Sequence, residues 1–210
     1  KYAAMAVFPH DLGIFYPLPR SVSFWQTLAA AGFLVAVSLA AVRFRRRHPY
    51  LLMGWCWFLV TLLPVIGLIQ VGGQSMADRY SYIPFIGLFL IAAWGADDLL
   101  KNLASHRAAL AVLGGGLVLA CAGATWAQLG YWKDQLTLYR HTLDITSGNY
   151  IILNNYGIAL AQKAGLDEAV RTYEEALRVW PYSSFAEVNL GAALADQGKL
   201  GDAIEHYNRA

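Results

Sequence analysis

Three groups of residues in this chain have the type and placement to do chemistry. The first is Asp78-Arg79-Tyr80, at the centre of a polar loop that reads Gly-Gly-Gln-Ser-Met-Ala-Asp-Arg-Tyr-Ser-Tyr-Ile-Pro over residues 72–84. No charge stands between Pro49 and Ala77 or between Tyr80 and Ala96, so Arg79 is an isolated cation. Guanidinium is planar, permanently charged and bidentate toward phosphate oxygens, which suits an anionic ligand. Gly72 and Gly73 permit turns with positive φ, and backbone amides there could add donors. Arg79 could instead pair with Asp78, with Tyr80 and Tyr82 marking a membrane interface. The second group is His10-Asp11, an imidazole beside a carboxylate as acid–base chemistry uses. Adjacent side chains seldom face each other, however, and Pro9 and Pro17 fit an interfacial turn equally well. The third is Asn155 and Asn189, carboxamides 34 positions apart. Each could pair with a peptide backbone whatever its sequence, or bond to water or a neighbouring repeat. The remaining histidines, His48, His106, His141 and His206, lack ligand spacing. Cys56 and Cys121 lie in apolar runs, where they act as small hydrophobes, so neither a metal site nor a disulfide framework is expected.

The elements that must hold these residues divide the chain in two. Of its 210 residues, 57% are hydrophobic and 14% charged, against about 25% charged in an ordinary soluble domain. Residues 1–130 carry nine Lys/Arg and four Asp/Glu, whereas residues 131–210 carry seven and ten. The first half holds four apolar segments, over residues 24–42, 50–71, 83–100 and 108–129. Crossing a hydrocarbon core takes roughly 20 helical residues, and unpaired backbone is not tolerated there, so each reads as a membrane helix. Arg43, Arg45, Arg46 and Arg47 follow the first span, and Lys101 and Arg107 flank the link between third and fourth. An excess of cations marks the cytoplasmic side, which puts residues 1–23, the 72–84 loop and the region after Gly130 outside. Pro64 should kink the second span, and Gly114-Gly115-Gly116 reads as a close helix-packing surface. No ionisable residue lies at mid-span, which argues against an ion-coupled transporter.

From Tyr150 a repeat of 34 residues sets in. Asn155, Gly157, Ala159, Leu160, Ala161, Leu166, Ala169, Tyr173 and Ala176 recur as Asn189, Gly191, Ala193, Leu194, Ala195, Leu200, Ala203, Tyr207 and Ala210. Small residues allow paired helices to approach, Tyr173 fills between them, and Pro181 ends the unit. In period and residue type this resembles the tetratricopeptide repeat. Residues 132–149 read as the second helix of a degenerate earlier unit, with Tyr139 in register with Tyr173. The expected architecture is all-α: an extracytoplasmic loop (1–23), a four-span transmembrane bundle (24–129), a linker with a degenerate repeat helix (130–149) and a tetratricopeptide-repeat α-solenoid (150–210). No signal peptide is evident and the second repeat stops within its helical pattern, so a piece of a longer protein is expected.

The four spans, the loop around Ala77-Asp78-Arg79-Tyr80, the Phe15-Tyr16-Pro17 segment before the first span and the tandem repeats occur here together. In combination they resemble the C-terminal part of the transmembrane and tetratricopeptide-repeat proteins, in their bacterial form. That family is similar to the multispanning GT-C glycosyltransferases, which use polyprenyl-phosphate sugars to modify protein hydroxyls. The resemblance implies a membrane glycosyltransferase of mannosyltransferase type. Its lipid-phosphate site would be Arg79 with Asp78 and Tyr80, and an acceptor polypeptide would lie along Asn155 and Asn189, as on the asparagine ladder of a sugar-adding repeat enzyme. The resemblance places the catalytic carboxylate in a first outer loop ahead of this chain, so Asp11 is not promoted to that role. It also implies an inner-membrane location with extracytoplasmic repeats. No cofactor, metal or nucleic-acid partner is expected. The competing reading is a membrane-anchored repeat scaffold without chemistry.

Overall fold

A computed structural model describes residues 2–6, 11–19, 21–65, 74–163 and 165–210. The described residues are predominantly helical and fall into two compact units. The first comprises residues 1–10 and 18–126, the second residues 11–17 and 127–210.

The first unit contains a helical turn, α1 (Tyr2–Met5), and the helices α2 (Phe24–Phe44), α3 (Pro49–Leu62), α4 (Tyr82–Leu100) and α5 (His106–Leu129). α2, α4 and α5 are long and apolar enough to cross a membrane. α3 has 14 residues and gives way at Leu63–Val65 to a 3-10 turn that contains Pro64. The expected kink takes this form because proline has no N–H for the α-helical ladder. Residues 66–71 of the second apolar segment, and Gly72 and Gly73 of the loop that follows, lie outside the described residues.

α3 is the hub of this unit. Its residue Gly54 crosses Gly87 of α4 so closely that a methyl group on either would run into the other's carbonyl oxygen. A methyl on Gly54 would also stand 2.7 Å from Ile91, and one on Gly87 3.0 Å from the Phe58 backbone nitrogen. Around this crossing Trp55, Phe58 and Ala41 form a buried cluster, joined by Leu52, Phe85, Leu88 and Ile91. The Trp55 indole donates to Ser38 Oγ at 2.9 Å, tying α3 to α2, and the Trp57 indole donates to the Ile83 carbonyl at 2.9 Å, tying α3 to the start of α4. Few other side chains are covered, which is expected of helices that meet lipid rather than water. α5 buries no residue at all. Gly114, Gly115 and Gly116 have no atom within 4 Å of where a Cβ would stand, which corrects the expectation that they form a packing surface within the described chain. Their smallness permits close approach, but no described helix makes it.

The second unit contains α6 (Gln135–Ile145), α7 (Tyr150–Lys163), α8 (Leu166–Val179), α9 (Ser184–Asp196) and α10 (Leu200–Arg209), packed in succession. α6 starts at Asp134, whose carboxylate accepts from the Thr137 backbone N–H at 3.1 Å and its hydroxyl at 2.8 Å. These bonds hold the Asp134 carboxyl below its usual pKa. The 34-residue period is realised as one contact made twice. A Cβ on Gly157 would meet the Tyr173 ring at 2.5–2.9 Å, and one on Gly191 would meet the Tyr207 ring at 2.8–2.9 Å. Tyr173, Ala169, Leu160, Leu190, Ala193, Leu194 and Ala203 form the core, and Leu136 of α6 packs against it. Gly198, at φ +81°, turns the chain out of α9 while the Lys199 N–H donates back to the Leu194 carbonyl at 2.9 Å, closing the helix end.

Residues 11–17 belong to this second unit although more than a hundred residues separate them from α6. The Tyr16 hydroxyl accepts from the Gly13 N–H at 2.8 Å and donates to the Asp11 carbonyl at 3.1 Å, closing a compact turn with Asp11 at φ +54°. Gly13 lies against Ile145 and Thr142 of α6. Asn149, 1% exposed, fixes the join: its amide donates to the Phe15 carbonyl at 3.1 Å and to Thr146 Oγ1 at 3.0 Å. Its Oδ1 accepts from the Ile152 N–H at 3.3 Å, capping α7.

Two measurements probe these contacts. Gly87→Leu should overpack the α3–α4 crossing and lower stability in detergent by about 1–3 kcal/mol; an unchanged melting temperature would show that the crossing is loose. Burial raises the Tyr173 phenol to about 12, above the ordinary value near 10. The neutral form is therefore favoured in the folded state, and this contribution is complete below pH 10 and lost as pH rises toward 12. Alkaline unfolding followed by tyrosinate absorbance should lose a steep component in Tyr173→Phe.

Candidate functional site

The Asp78–Ser81 segment is a 3-10 turn that runs directly into α4. It is held on three sides. The Ala77 N–H donates to the Tyr2 hydroxyl at 3.3 Å, the Ser81 hydroxyl donates to the Asp78 carbonyl at 2.6 Å, and Gln74 Nε2 donates to the Tyr80 hydroxyl at 3.0 Å. Desolvation raises the pKa of the Tyr2 phenol, keeping it a neutral partner for this backbone. Met76, Ala77 and Ser81 are buried, whereas Arg79 is exposed. Its guanidinium lies over the Tyr80 ring, 5.2 Å from the centroid. Among the described residues Arg79 forms no ion pair, so the Asp78–Arg79 pairing that the sequence also allowed is not the arrangement seen. Tyr80 thus serves as the platform for the arginine, and Asp78 supplies the backbone acceptor that shapes the turn. Tyr82 and Ile83, both largely exposed, continue this surface onto the first turn of α4.

Such a site presents a cation on a cation–π shelf, beside the N-terminal end of a helix and an apolar flank. A guanidinium so placed keeps its hydrogen-bonding edge free for a phosphate oxygen. The N-terminal N–H groups and dipole of α4 favour negative charge at the same place.

Of the other residues singled out from the sequence, His10 lies outside the described residues, and Asp11 is an exposed turn residue. Asn189 of α9 donates through Nδ2 to Asn154 Oδ1 of α7 at 2.8 Å, a bond between successive helix pairs. Asn155 is half-buried on α7, one position beyond the Asn154 that receives this bond. Two clusters were not legible from spacing. Asp98 near the end of α4 accepts from the Tyr50 hydroxyl at 2.8 Å and from Lys101 at 3.1 Å, and pairs with His48 Nδ1 at 2.6 Å. Glu187 of α9 pairs with His206 Nδ1 of α10 at 2.6 Å, with both side chains largely covered. Neither pair has a short-range sequence signature, because the partners lie 50 and 19 residues apart. Among the described residues no group of His, Cys, Asp or Glu could hold a metal ion.

These features define a class: a helical membrane protein in which long apolar helices precede a set of shorter, paired ones. No family model matches the chain. It is 26% identical over 196 residues to protein O-mannosyl-transferase Tmtc3 of Drosophila melanogaster, covering 91% of this chain and 21% of that protein. It is 28% identical over 163 residues to protein O-mannosyl-transferase TMTC4 of Homo sapiens, covering 75% of this chain and 22% of the relative. Protein O-mannosyl-transferase F38B6.6 of Caenorhabditis elegans is 25% identical over 184 residues, 86% of this chain and 26% of that protein. The chain thus spans about a fifth to a quarter of the length of these relatives. The resemblance drawn from the Asp78-Arg79-Tyr80 loop and the repeats is to proteins of this kind.

The Asn154–Asn189 bond invites a double-mutant cycle. Asn154→Ala and Asn189→Ala should each destabilise the second unit, with a coupling of about 1 kcal/mol by chemical unfolding. A coupling near zero would release Asn189 from this structural duty.

Proposed function

We propose that this chain is part of a membrane glycosyltransferase that moves mannose from a polyprenyl-phosphate carrier to hydroxyl groups of a polypeptide. The observation that carries the reading is Arg79: an exposed guanidinium on the Tyr80 ring, at the N-terminal end of a membrane-length helix and without an acidic partner among the described residues. The names of the similar proteins supply the class of reaction.

In this reading the lipid phosphate sits against Arg79, with Asp78 and Tyr80 shaping the turn and the exposed Tyr82 and Ile83 beside the carrier's apolar tail. The guanidinium offsets the charge that develops on the phosphate as it leaves the sugar. A base must still take the proton of the acceptor hydroxyl, a role that the permanently charged Arg79 cannot fill. The helix pairs act as tetratricopeptide repeats, with Asn155 and Asn189 on the acceptor surface. Asn189 can serve there through the groups its bond to Asn154 leaves over.

The side assignment draws support from the second unit. Residues 11–17 precede the first span and residues 127–210 follow the last, yet both belong to one compact body. A chain that leaves this body and returns to it crosses the membrane an even number of times. That supports a full crossing by the segment containing α3 and, with it, an Arg79 turn on the same side as the repeats. The arginines after α2 mark the opposite compartment as cytoplasmic, so the repeats are extracytoplasmic. An inner bacterial membrane fits this arrangement.

In the full-length protein, Arg79→Ala should lower kcat/KM for transfer from polyprenyl-phosphate mannose about a hundredfold or more, with Arg79→Lys recovering only part. Binding of an acceptor peptide should be unaffected by Arg79→Ala and weakened by Asn155→Ala. Unchanged turnover in Arg79→Ala would remove the donor role and leave a membrane-anchored interaction module.

A further inference from the structure

The opposite end of the first unit carries a second cationic site that the transfer reaction does not use. Arg43, Arg45, Arg46 and Arg47 stand at the end of α2, all exposed. Among the described residues none forms an ion pair. Asp98, which reaches this end of the unit through His48, the residue after Arg47, is already engaged by His48, Tyr50 and Lys101. Only Arg45 has an internal task, donating through Nη1 to the Val42 carbonyl at 3.2 Å and so closing the helix end. Arg43 lies 5.9 Å from the centroid of the Phe44 ring.

A shallow, open groove of about 730 Å³ lies along this one stretch of α2 and its C-terminal end, lined by Leu39, Ala40 and Val42 on one side and by Arg43, Arg45 and Arg46 on the other. Leu39 and Arg43 are four residues apart and share a helix face, so the groove passes from aliphatic to cationic within one turn. Leu39 and Val42 are exposed on a helix long and apolar enough to sit in a membrane. An occupant must therefore offer an apolar chain and an anion at one fixed spacing.

We propose that this groove holds an anionic phospholipid, its acyl chain along Leu39 and Val42 and its headgroup phosphate between Arg43 and Arg46. A zwitterionic lipid fits the apolar part equally well but brings a cation toward the arginines. A free phosphate lacks the chain that the apolar end accommodates.

The test uses the intact membrane protein in nanodiscs of phosphatidylcholine containing trace spin-labelled lipid. Phosphatidylglycerol should be immobilised in preference to phosphatidylcholine, and the preference should fall about fivefold for each of Arg43→Gln and Arg46→Gln. Arg43→Lys combined with Arg46→Lys should retain most of it, since charge rather than fold is then the variable. Leu39→Trp should reduce retention of both lipids by filling the groove. Equal retention of the two lipids by the wild-type protein would overturn the proposal. So would an equal loss in Arg107→Gln, which removes a cation from the first turn of α5 and reports diffuse attraction only. Displacement of the labelled lipid by millimolar inorganic phosphate would assign the site to a free anion instead.

Discussion

The first unit depends on one backbone-to-backbone approach, the meeting of Gly54 and Gly87. In a lipid environment apolar side chains gain little by leaving lipid for each other, so helices associate where small residues let backbones close. With α3 and α4 clamped at that point, the remaining contacts follow from geometry. Toward one end the Trp57 indole reaches the Ile83 carbonyl, and toward the other His48 and Tyr50 reach Asp98. The Asp78–Ser81 turn is therefore attached to a fixed hairpin. Its arginine is displayed from a turn held by hydrogen bonds rather than from a free loop.

The second unit is organised by a different rule, because it is stabilised by burial from water. The contact of glycine with tyrosine, repeated at 34 residues, sets the distance between the helices of each pair, and alanines at 169, 176, 193 and 203 complete the surface. Two such pairs leave much apolar surface uncovered, as Tyr182, Phe185, Leu200 and Ile204 show. α6 packs Leu136 against this core, and residues 11–17 lie against α6 in turn. Asn149 matters here beyond its size: a buried carboxamide satisfied by three bonds links a distant segment, a turn and a helix start. Leaving any of those groups unpaired in the interior would cost more than the bond itself contributes.

The two cationic sites differ in how they are held, and that difference bears on their roles. Arg79 is single, supported by a ring and placed at a helix N-terminus, a setting for one defined anion. The arginines at 43, 45, 46 and 47 are clustered at a helix C-terminus and, among the described residues, form no ion pair, the setting from which a headgroup site is proposed. Both stand at an end of a helix long and apolar enough to cross a membrane, where a cation and an aliphatic surface come close together.

Much of this was legible in the sequence because it is written in local terms. Apolar stretches of membrane length gave α2, α4 and α5 within a few residues, and the spacing of Gly157, Tyr173, Gly191 and Tyr207 gave the helix pairs and their core. The isolated position of Arg79 was likewise visible, since an uncharged surrounding is a property of the chain itself. What the sequence could not carry was the choice of partner. The run of Gly114, Gly115 and Gly116 stood out as a packing surface, yet it meets no described atom, while the isolated Gly54 and Gly87 meet each other. Arg79 had an acid at its side and lies over a tyrosine instead, and Asn189 bonds to Asn154 of the neighbouring helix pair. Residue type and period determine which face of an element is apolar or small. Which other element arrives at that face depends on distances across the chain, and only the tertiary structure decides that.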